Sequence, residues 1–377
     1  MSQRRFPAVF MRGGTSKGIM FHARDLPAAR AEWDEIFLSA MGSPDPSGRQ
    51  LDGMGGGISS LSKVCVIALS QREDADVDYT FAQVQIQESR VDYGANCGNM
   101  SSAVGPFALD EGLVRAADGE ARVRIFNTNT RKLIHSSFGV HADRAAVDGA
   151  LAIPGVAGTG APIRLDFIEP GGATTGRLLP SGNALDVLDI PGLGKIEVSL
   201  VDAANACAFV AAAALGLRGT EMPDELDRNA AALQQLAVIR LHASVAMGIA
   251  RTLEEARAQT AVPFIGFVSP AQDAPTLAGE LLPAAAADLT VRIISNGQPH
   301  RALPLTASLC TAIAARIAGT TVWQAARRNA PAQLRLAMPS GVLTVGADAS
   351  RESGAWQAAR GSFYRTARRL FDGYVYA

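Results

Sequence analysis

The alternation of apolar and polar residues predicts short strands along most of this chain. The clearest example is the period-two run at 79–86, which begins at Tyr79 and ends at Ile86. Further strands are predicted at 8–11, 17–21, 64–69, 122–126 and 132–140, and in the second half at 195–201, 206–211, 264–268, 289–294, 342–345 and 361–377. The chain is therefore expected to be rich in sheet.

Four other stretches carry apolar residues at helical spacing. The predicted helices cover about 28–41, 101–113, 224–259 and 306–318, and Gly248 is a candidate break in the third. The helix at 101–113 directly follows a turn that contains Gly94 and Gly98. Side chains of that turn are therefore expected to lie at the start of the helix.

The two halves of the chain repeat one order of elements. Each has early strands, a hairpin-like sheet, and a turn into an apolar helix, which holds Cys97 in the first half and Pro304 in the second. Many mixed α/β proteins alternate in this way without a duplication. We expect an N-terminal domain over 1–185 and a C-terminal domain over 186–377, with a last strand able to return to the first domain. A ligand is expected between them, under two facing helix N-termini.

Composition limits the classes of function. The chain has 377 residues, of which 48% are hydrophobic and 19% charged, which is enough apolar material for two cores. A net charge of −1 without a long basic stripe argues against nucleic acid or an anionic membrane as the main partner. No apolar run has the length of a membrane span, and the basic N-terminus lacks the apolar segment of a signal peptide. We expect a cytoplasmic protein.

Cysteine and histidine spacing supports neither a metal site nor a disulfide framework. The cysteines are far apart in sequence and have no C-x-x-C spacing; they are Cys65, Cys97, Cys207 and Cys310. The histidines form no H-x-H or H-x-x-x-H pair; they are His22, His135, His141, His242 and His300. We expect no metal ion, although residues distant in sequence can assemble a site in space.

Cys97 is the most informative single residue. It stands in the sequence Asn-Cys-Gly-Asn, in which Asn96 and Asn99 are the candidate N-caps of the following helix. A helix N-terminus presents unpaired N–H groups and a positive dipole end, which favour a thiolate and hold anions. This position suits a thiol acid or base that acts on a carboxylate substrate. The alternative is that Cys97 is a small buried apolar side chain.

A glycine-rich loop at 51–62 leads into Lys63, which precedes the predicted strand at 64–69. Such a loop lets backbone N–H groups approach a ligand closely. Burial beside Leu61 and Val64 would favour the uncharged amine of Lys63, and an uncharged amine can accept a proton. The alternative is a solvated lysine ahead of a strand.

Several motifs together carry a resemblance that covers nearly the whole chain. They are MRGGTSKG at 11–18, the stretch from 41 through Ser62 and Lys63, and NCGN at 96–99, with further similarity at 179–183, 338–341 and 365–373. In these motifs the chain resembles the methylaconitate cis-trans isomerase family (PrpF type). That family includes oxalomesaconate tautomerases and methylitaconate isomerases.

The resemblance implies an α+β fold of the diaminopimelate-epimerase-like type. Such a fold has two similar domains, each with a sheet wrapped around a central helix, and an active site in the cleft between them. The resemblance also implies an isomerase that needs no cofactor or metal. Such an enzyme moves a proton and a double bond in a small unsaturated di- or tricarboxylate such as 2-methylaconitate, aconitate or 4-oxalomesaconate. Beyond this substrate we expect no partner except a second copy in a homodimer.

The reaction needs a base, a second acid or anion-stabilising group, and donors for the carboxylates. The resemblance implies that Lys63 is the base and that Cys97 faces it or stabilises the enolate. The candidate carboxylate-binding residues are Ser16, Lys17, Ser62, Asn96, Gly98 and Asn99, with His300 and Arg301 from the second half. For His300 and Arg301 the alternative is an exposed turn.

The second half departs from the family pattern at two positions. Leu305 stands where many members have glycine, and Phe264 stands near the place of a lysine. Racemases of this fold have a thiol in each half, whereas the turn at Pro304 has none, which favours isomerisation over two-base racemisation. Two alternatives stay open: an amino-acid racemase or epimerase of the same fold, and a non-catalytic accessory protein.

Overall fold

A computed structural model describes residues 3–94, 96–259, 262–295, 297–327 and 333–377. The chain divides into two compact units, one formed by the chain up to Asp166 together with Tyr364–Ala377, and the other by Phe167–Phe363. The sequence placed the boundary later, after residue 185. The turn-rich stretch before that position is bound to the second unit, because the carboxylate of Asp202 accepts hydrogen bonds from the N–H groups of Thr174 and Thr175 at 2.8 and 2.6 Å.

The first unit is a curved sheet with two helices. Its strands are β1 (Arg5–Gly13), β2 (Ser16–His22), β3 (Lys63–Leu69), β4 (Val77–Val84), β5 (Val91–Asp92), β6 (Gly119–Asn127), β7 (Lys132–His141), β8 (Arg144–Ala145), β9 (Ile163–Ile168) and β21 (Ala367–Tyr376). Its helices are α1 (Trp33–Met41) and α2 (Gly98–Asp110), and 3-10 turns lie at Ala23–Asp25, Arg30–Glu32 and Ser59–Leu61. The strand order is β21-β1-β2-β3-β4-β6-β7-β8, with β5 also paired to β4. The pairs β2–β3 and β4–β6 are parallel and the others antiparallel.

Helix α2 is the central element of this unit. Met100, Val104 and Phe107 on this helix have no exposed surface, and the helix contacts β1, β2, β6 and β7. The opposite face of the sheet is covered by α1, where Phe37 packs in one cluster with Val64 and Val66 of β3. Because side chains alternate along a strand, Lys63 and Cys65 of β3 lie on the face that surrounds α2.

The second unit repeats this plan. Its strands are β10 (Asp186–Ile190), β11 (Gly194–Ala203), β12 (Asn205–Ala211), β13 (Phe264–Ser269), β14 (Ala274–Pro275), β15 (Leu281–Leu282), β16 (Leu289–Ser295), β17 (Gln298–Pro299), β18 (Gln333–Met338), β19 (Gly341–Glu352) and β20 (Ala355–Arg365). Its helices are α3 (Pro223–Arg228), α4 (Ala230–Ala246), α5 (Leu253–Ala258), α6 (Leu305–Ala314) and α7 (Thr321–Ala325), and 3-10 turns lie at Ala212–Leu215 and Ala284–Ala286. Every residue of α6 is buried, so α6 is the central helix here.

The order and direction of strand pairing are the same in both units. The succession β1, β2, β3, β4, β5, α2, β6, β7 corresponds to β11, β12, β13, β16, β17, α6, β18, β19, with parallel pairs at the same two places. One ion pair is also repeated: Asp76 with Arg124 and Asp288 with Arg335, each with a shortest contact between charged groups of 2.7–2.8 Å. The duplicated pattern read from the sequence therefore corresponds to a repeated topology.

Element boundaries differ from the sequence prediction in several places. The helix predicted at 224–259 is three helices, because it is interrupted at Asn229 and again at Gly248, whose φ of 71° is left-handed. The strand predicted at 361–377 is two strands that meet at Thr366. The helix predicted at 306–318 ends at Ala314. Among the described residues, no helix is long and apolar enough to cross a membrane.

Candidate functional site

Lys63 is the first residue of β3 and is almost completely buried, with 8% of its surface exposed. It pairs with Gly18 of the parallel strand β2 and with Gln83 of the antiparallel strand β4. Its Nζ lies 4.9 Å from the ring centroid of Phe81 and donates a hydrogen bond of 2.7 Å to Oε1 of Gln83. The lysine is therefore held by the face that surrounds α2 and is not solvated, so the structural alternative of an exposed lysine is wrong.

Two neutral groups lie beyond Lys63 on this face. Cys65 directs its Sγ toward the Tyr79 hydroxyl at 3.7 Å. Burial raises the pKa of the Cys65 thiol far above its ordinary value, and the charges of Cys97 and Lys63 also act on it. Burial likewise raises the pKa of Tyr79. Both groups are uncharged at neutral pH.

Cys97 is the N-cap residue of α2, and its thiol is partly exposed. The first intrahelical bond runs from the N–H of Ser101 to the carbonyl of Cys97 at 2.9 Å. The N–H groups of Gly98, Asn99 and Met100 therefore precede any acceptor within the helix and point out of its N-terminus. A thiol and a group of anion-binding amides thus lie together at this end of α2.

The predicted N-caps Asn96 and Asn99 are wrong, because their side chains have other partners. Oδ1 of Asn96 accepts from the Ser101 hydroxyl at 3.2 Å and from Nδ2 of Asn127 at 3.3 Å. Asn99 is bonded to Thr15 through its Nδ2 at 3.0 Å and its Oδ1 at 3.3 Å. Asn96 fixes the approach to the helix, and Asn99 fixes the helix to the β1–β2 hairpin.

The hairpin between β1 and β2 lies directly against the start of α2. Gly13 leaves no room for a side chain there, because a Cβ would lie 2.6 Å from the Asn99 carbonyl oxygen. Ser16 begins β2 and is buried, and by alternation it shares a face with Gly18, the partner of Lys63. The hairpin therefore brings Ser16 to the side of the sheet that carries Lys63.

A buried arginine adds positive charge beside this hairpin. Arg365 is 6% exposed, and its Cδ would lie 3.2 Å from a Cβ on Gly14. Burial lowers the pKa of Arg365 to about 9, which still leaves the guanidinium protonated at neutral pH. Together with the N-terminus of α2, this charge makes the surroundings of Cys97 favourable to anions.

Ser62 and the glycine-rich loop are organised by a glutamine that the sequence analysis missed. Gln50 is buried, and its Oε1 accepts from the Ser62 hydroxyl at 2.6 Å and from the N–H of Gly57 at 3.0 Å. Asp45 holds the preceding turn through bonds from Ser47 and two further N–H groups, and these bonds lower its pKa to about 2. The hydroxyl of Ser62 is fully buried and engaged within the loop.

Lys17 is not brought to Lys63. It follows Ser16 by one residue and therefore points to the opposite face of β2. There its Nζ lies 5.9 Å from the ring centroid of Phe10, a member of the cluster that packs against α1. The predicted role of Lys17 as a carboxylate ligand beside Lys63 does not agree with this placement.

In the second unit, Phe264 and Pro304 occupy the positions that Lys63 and Cys97 occupy in the first. Phe264 begins β13, and Pro304 is the N-cap residue of α6. The ring of His300 lies 6.3 Å from that of Phe264, and its Nε2 is 2.6 Å from the Ser295 hydroxyl. Arg301 is exposed and donates to Asp224 at 2.8 Å.

The described residues were also compared with the requirements of a metal site and of a surface pocket. No group of three or more His, Cys, Asp or Glu side chains is arranged to hold a metal ion within the described part of the chain. A surface groove of about 610 Å³ is lined by α1 and the loop that follows it, including Glu35, Leu38 and Asp52. None of the predicted site residues lines this groove.

Comparisons with known proteins extend over the whole chain. A family profile described as PrpF protein matches residues 3–377. The chain is 43% identical to a 3-methylitaconate isomerase of Eubacterium barkeri, with 99% of this chain and 97% of the relative covered. It is 37% identical to a 2-methyl-aconitate isomerase of Shewanella oneidensis, with 100% and 99% covered. It is 36% identical to a 4-oxalomesaconate tautomerase of Pseudomonas putida, with 100% and 97% covered.

Solved structures show the same relationship. The crystal structure of a methylitaconate-delta-isomerase matches with a TM-score of 0.86 at 43% identity, covering 100% of this chain and 96% of that one. A hydroxyproline epimerase from Agrobacterium vitis matches with a TM-score of 0.56 at 12% identity, covering 99% and 93%. The second likeness concerns the fold alone. The predicted epimerase-like α+β fold is confirmed.

Proposed function

The chain belongs to the PrpF family, and on that premise we propose that Lys63 and Cys97 carry out proton transfer on a small unsaturated polycarboxylate. Membership confirms the resemblance read from the sequence, and the isomerase class is confirmed by the relatives that cover the whole chain. The residue roles and the substrate are our proposal. The observation that carries it is a buried lysine, without a carboxylate partner among the described residues, on the same face of the sheet as a thiol at a helix N-terminus.

The proposed reaction begins with the uncharged amine of Lys63. The amine takes a proton from a carbon next to the double bond, and the electron pair of that C–H bond forms the new double bond. The electrons of the old double bond delocalise toward a carboxylate and are then protonated by the Cys97 thiol at the far carbon. Exchange with solvent returns a proton to the thiolate and removes one from the ammonium, which restores both groups.

Substrate carboxylates are proposed to bind at the N-terminus of α2. The N–H groups of Gly98 and Asn99 are the donors, and the hydroxyl of Ser16 is a further one, since it lies on the same side as Lys63. The protonated Arg365 adds an electrostatic preference for anions. For His300 and Arg301 a carboxylate-binding role stays a prediction from the sequence; in the structure Arg301 is exposed and paired with Asp224.

The names of the relatives limit the substrate to a class. They are isomerases of 3-methylitaconate and 2-methyl-aconitate and a tautomerase of 4-oxalomesaconate. All three names denote unsaturated polycarboxylates in which a proton next to a double bond is activated. We propose such an acid as the substrate, and a cytoplasmic homodimer as the state in which the enzyme works.

The racemase alternative meets a specific obstacle in the second unit. A two-base racemase of this fold needs a second thiol, and the equivalent N-cap position on α6 is occupied by Pro304. Cys310 lies farther along α6, is buried, and has its Sγ 3.4 Å from the carbonyl of Val201. A single thiol opposite a lysine favours unlike acid and base groups, as isomerisation requires.

The test is proton exchange in D2O. The protein is incubated with 2-methylaconitate, aconitate, 4-oxalomesaconate and 3-methylitaconate, and deuterium uptake and product formation are followed by proton NMR. Lys63→Ala is expected to lower turnover by at least about 100-fold. Lys63→Arg is expected to fail as well, because a guanidinium stays protonated.

Lys195→Ala is the matched control, because Lys195 is an exposed lysine of the second unit. It should keep wild-type turnover, and thermal unfolding should show that both Lys63 variants are folded. An active Lys63→Arg enzyme would remove Lys63 from the role of base. A wild-type protein that exchanges no proton with any of these acids would favour the non-catalytic alternative.

A further inference from the structure

Gln83 and Lys63 form a short side-chain hydrogen bond across two paired strands. The two residues are direct partners across the antiparallel pair β3–β4, so their side chains emerge on the same face. Nζ of Lys63 donates to Oε1 of Gln83 at 2.7 Å, which is short for a bond between nitrogen and oxygen. The amine is thus fixed by one defined acceptor.

The orientation of the Gln83 amide is itself determined. Its Nε2 donates to the carbonyl of Ser59 at 3.0 Å and to that of Ser62 at 2.9 Å. The reversed amide would place its oxygen against these two carbonyls and its NH2 group against the lysine amine. Because that arrangement opposes acceptors to acceptors and donors to donors, only an oxygen faces Lys63.

The surroundings contain other titratable and charged groups, none of which replaces this acceptor. The titratable groups on β3 and β4 are Cys65 and Tyr79, which burial keeps neutral. The titratable group on α2 is Cys97. On β5 the carboxylate of Asp92 is one strand beyond Gln83 and accepts from the N–H of Gly94 at 2.7 Å. Arg365 lies at the hairpin. Among the described residues, the partner of the Lys63 amine is the amide oxygen of Gln83, and no carboxylate forms an ion pair with Lys63.

A neutral acceptor has a chemical consequence. An adjacent carboxylate would stabilise the ammonium form of a lysine and make it a poor base at neutral pH. An amide oxygen instead accepts one N–H from either the ammonium or the amine. When Lys63 is an amine, this bond takes one hydrogen and leaves the lone pair directed elsewhere, toward a substrate.

We propose that Gln83 is a positioning residue, which orients the amine of Lys63 with a neutral acceptor and so leaves its lone pair free to face the substrate. This inference rests on the proposed role of Lys63 as the base. It assigns a function to a residue of β4 that the sequence motifs do not single out. Gln83 also joins the lysine to the end of the glycine-rich loop, through its bonds to Ser59 and Ser62.

The decisive variant is Gln83→Glu, which is nearly isosteric and adds one negative charge beside Nζ. The acid limb of the kcat/KM profile, where the base becomes protonated, is expected to move at least about one pH unit upward. At a pH below the acid-limb midpoints of both the wild type and the variant, kcat/KM of Gln83→Glu should therefore be at least tenfold lower than that of the wild type. It should recover at higher pH. Gln83→Met keeps the size and removes the acceptor, and it should lower kcat by about tenfold or more with little change in KM.

Gln87→Glu is the matched control, because Gln87 is a loop residue whose Nε2 donates to the exposed carbonyl of Pro46 at 3.2 Å. It makes the same charge change without facing Lys63, so its profile should match the wild type. An unmoved acid limb in Gln83→Glu, an equal shift in Gln87→Glu, or wild-type kcat in Gln83→Met would each overturn the proposal. If Gln83→Glu does not fold, Gln83→Met decides.

A second measurement needs no substrate and separates this inference from the proposed function. Competitive acetylation of Lys63 by acetic anhydride across pH, read by peptide mapping, reports its protonation directly. The midpoint should move upward in Gln83→Glu, and an unmoved midpoint would refute the role of Gln83. If the midpoint moves in Gln83→Glu but the wild-type protein exchanges no proton with any unsaturated acid, the proposed function is refuted, whereas the action of Gln83 on the Lys63 amine stands.

Discussion

Replacing Gly13 with alanine should displace the start of α2 and weaken catalysis without touching a reacting group. A Cβ at residue 13 would lie 2.6 Å from the Asn99 carbonyl oxygen and 3.0 Å from Cα of Met100. An ordinary contact is at least 3.4 Å, so the hairpin and the helix must separate by about 0.8 Å. Both clashing atoms belong to backbone and cannot rotate away. The bonds between Thr15 and Asn99 would be strained by the same movement.

The expected size of the effect follows from these contacts. Overpacking of this kind costs about 1–3 kcal/mol of unfolding free energy. If Cys97 is the acid that we propose, displacement of its thiol and the neighbouring amides by nearly 1 Å costs on the order of 100-fold in turnover. The loss should appear in kcat more than in KM, because Gly13 itself contacts the helix and not a ligand.

The assay isolates the first unit. Trp33 lies in that unit, whereas Trp323 and Trp356 lie in the other, so a background with both replaced by phenylalanine leaves one reporter. Urea unfolding followed by Trp33 fluorescence then gives the stability change. Gly139→Ala is the matched control, since its Cβ would meet only Cβ of Ala146, at 3.3 Å. Wild-type stability and turnover in Gly13→Ala would refute the argument that this close approach positions α2.

Three further predictions concern the thiol, the stability in acid and the reaction type. Cys97 should react with iodoacetamide faster than the three buried cysteines, and trans-aconitate should protect it; labelling without protection would return it to a structural role. Burial alone would raise the pKa of Glu111, but bonds from Arg369 and His22 outweigh it and lower the pKa. The stability that Glu111 adds is therefore present above about pH 4.3, its unfolded pKa, and is lost as pH falls through the lower folded pKa. The difference in unfolding free energy between the wild type and Glu111→Gln should therefore disappear in acid. The enzyme should isomerise unsaturated acids in EDTA and leave L-proline and L-diaminopimelate unchanged; racemisation of either amino acid without reaction of any unsaturated acid would restore the racemase reading.

Local pattern was sufficient to predict the frame of the site. A continuous apolar run located β3, a period-two run located β4, and the glycine-flanked turn located Cys97 at the start of an apolar helix. The repeated order of elements was also visible, because each half carries the same succession of strands and a buried helix. These features depend on residues close together in sequence, where hydrophobic periodicity is informative.

The side-chain contacts of the site residues could not be predicted from local sequence pattern. Lys17 and Ser16 are neighbours in sequence, yet a strand sends them to opposite faces, and one residue of register decides which is which. Gln83 lies twenty residues after Lys63 in the sequence, and the two meet only through the pairing of β3 with β4. A usable signal did exist: Tyr79, Phe81 and Gln83 share one face, and the polar residue ends an otherwise aromatic row.

The N-cap of α2 was predicted wrongly for a different reason. Asn is a common N-cap, so propensity favoured Asn96 and Asn99 over Cys97. In the structure both side chains are drawn to tertiary partners, Asn127 and Thr15, and the cap position is left to the cysteine. A residue of weak capping tendency at this place leaves the N–H groups of the first turn without a side-chain acceptor, which is what the proposed carboxylate site requires.

Comparison of the two units shows which features are repeated in both and which occur in the first unit alone. Both units keep the parallel strand pairs, the central helix, and the ion pair that ties one strand to the next, represented by Asp76 with Arg124 and by Asp288 with Arg335. The positions of Lys63 and Cys97 are not kept, since Phe264 and Pro304 occupy them in the second unit. The repeated topology therefore does not depend on a lysine or a cysteine at these two positions. In the proposed mechanism a lysine and a thiol of one unit act as base and acid and are chemically unlike, whereas racemisation in either direction needs two groups that exchange roles. The inequality of the two units is thus itself an argument that the enzyme relocates a double bond and does not invert a stereocentre.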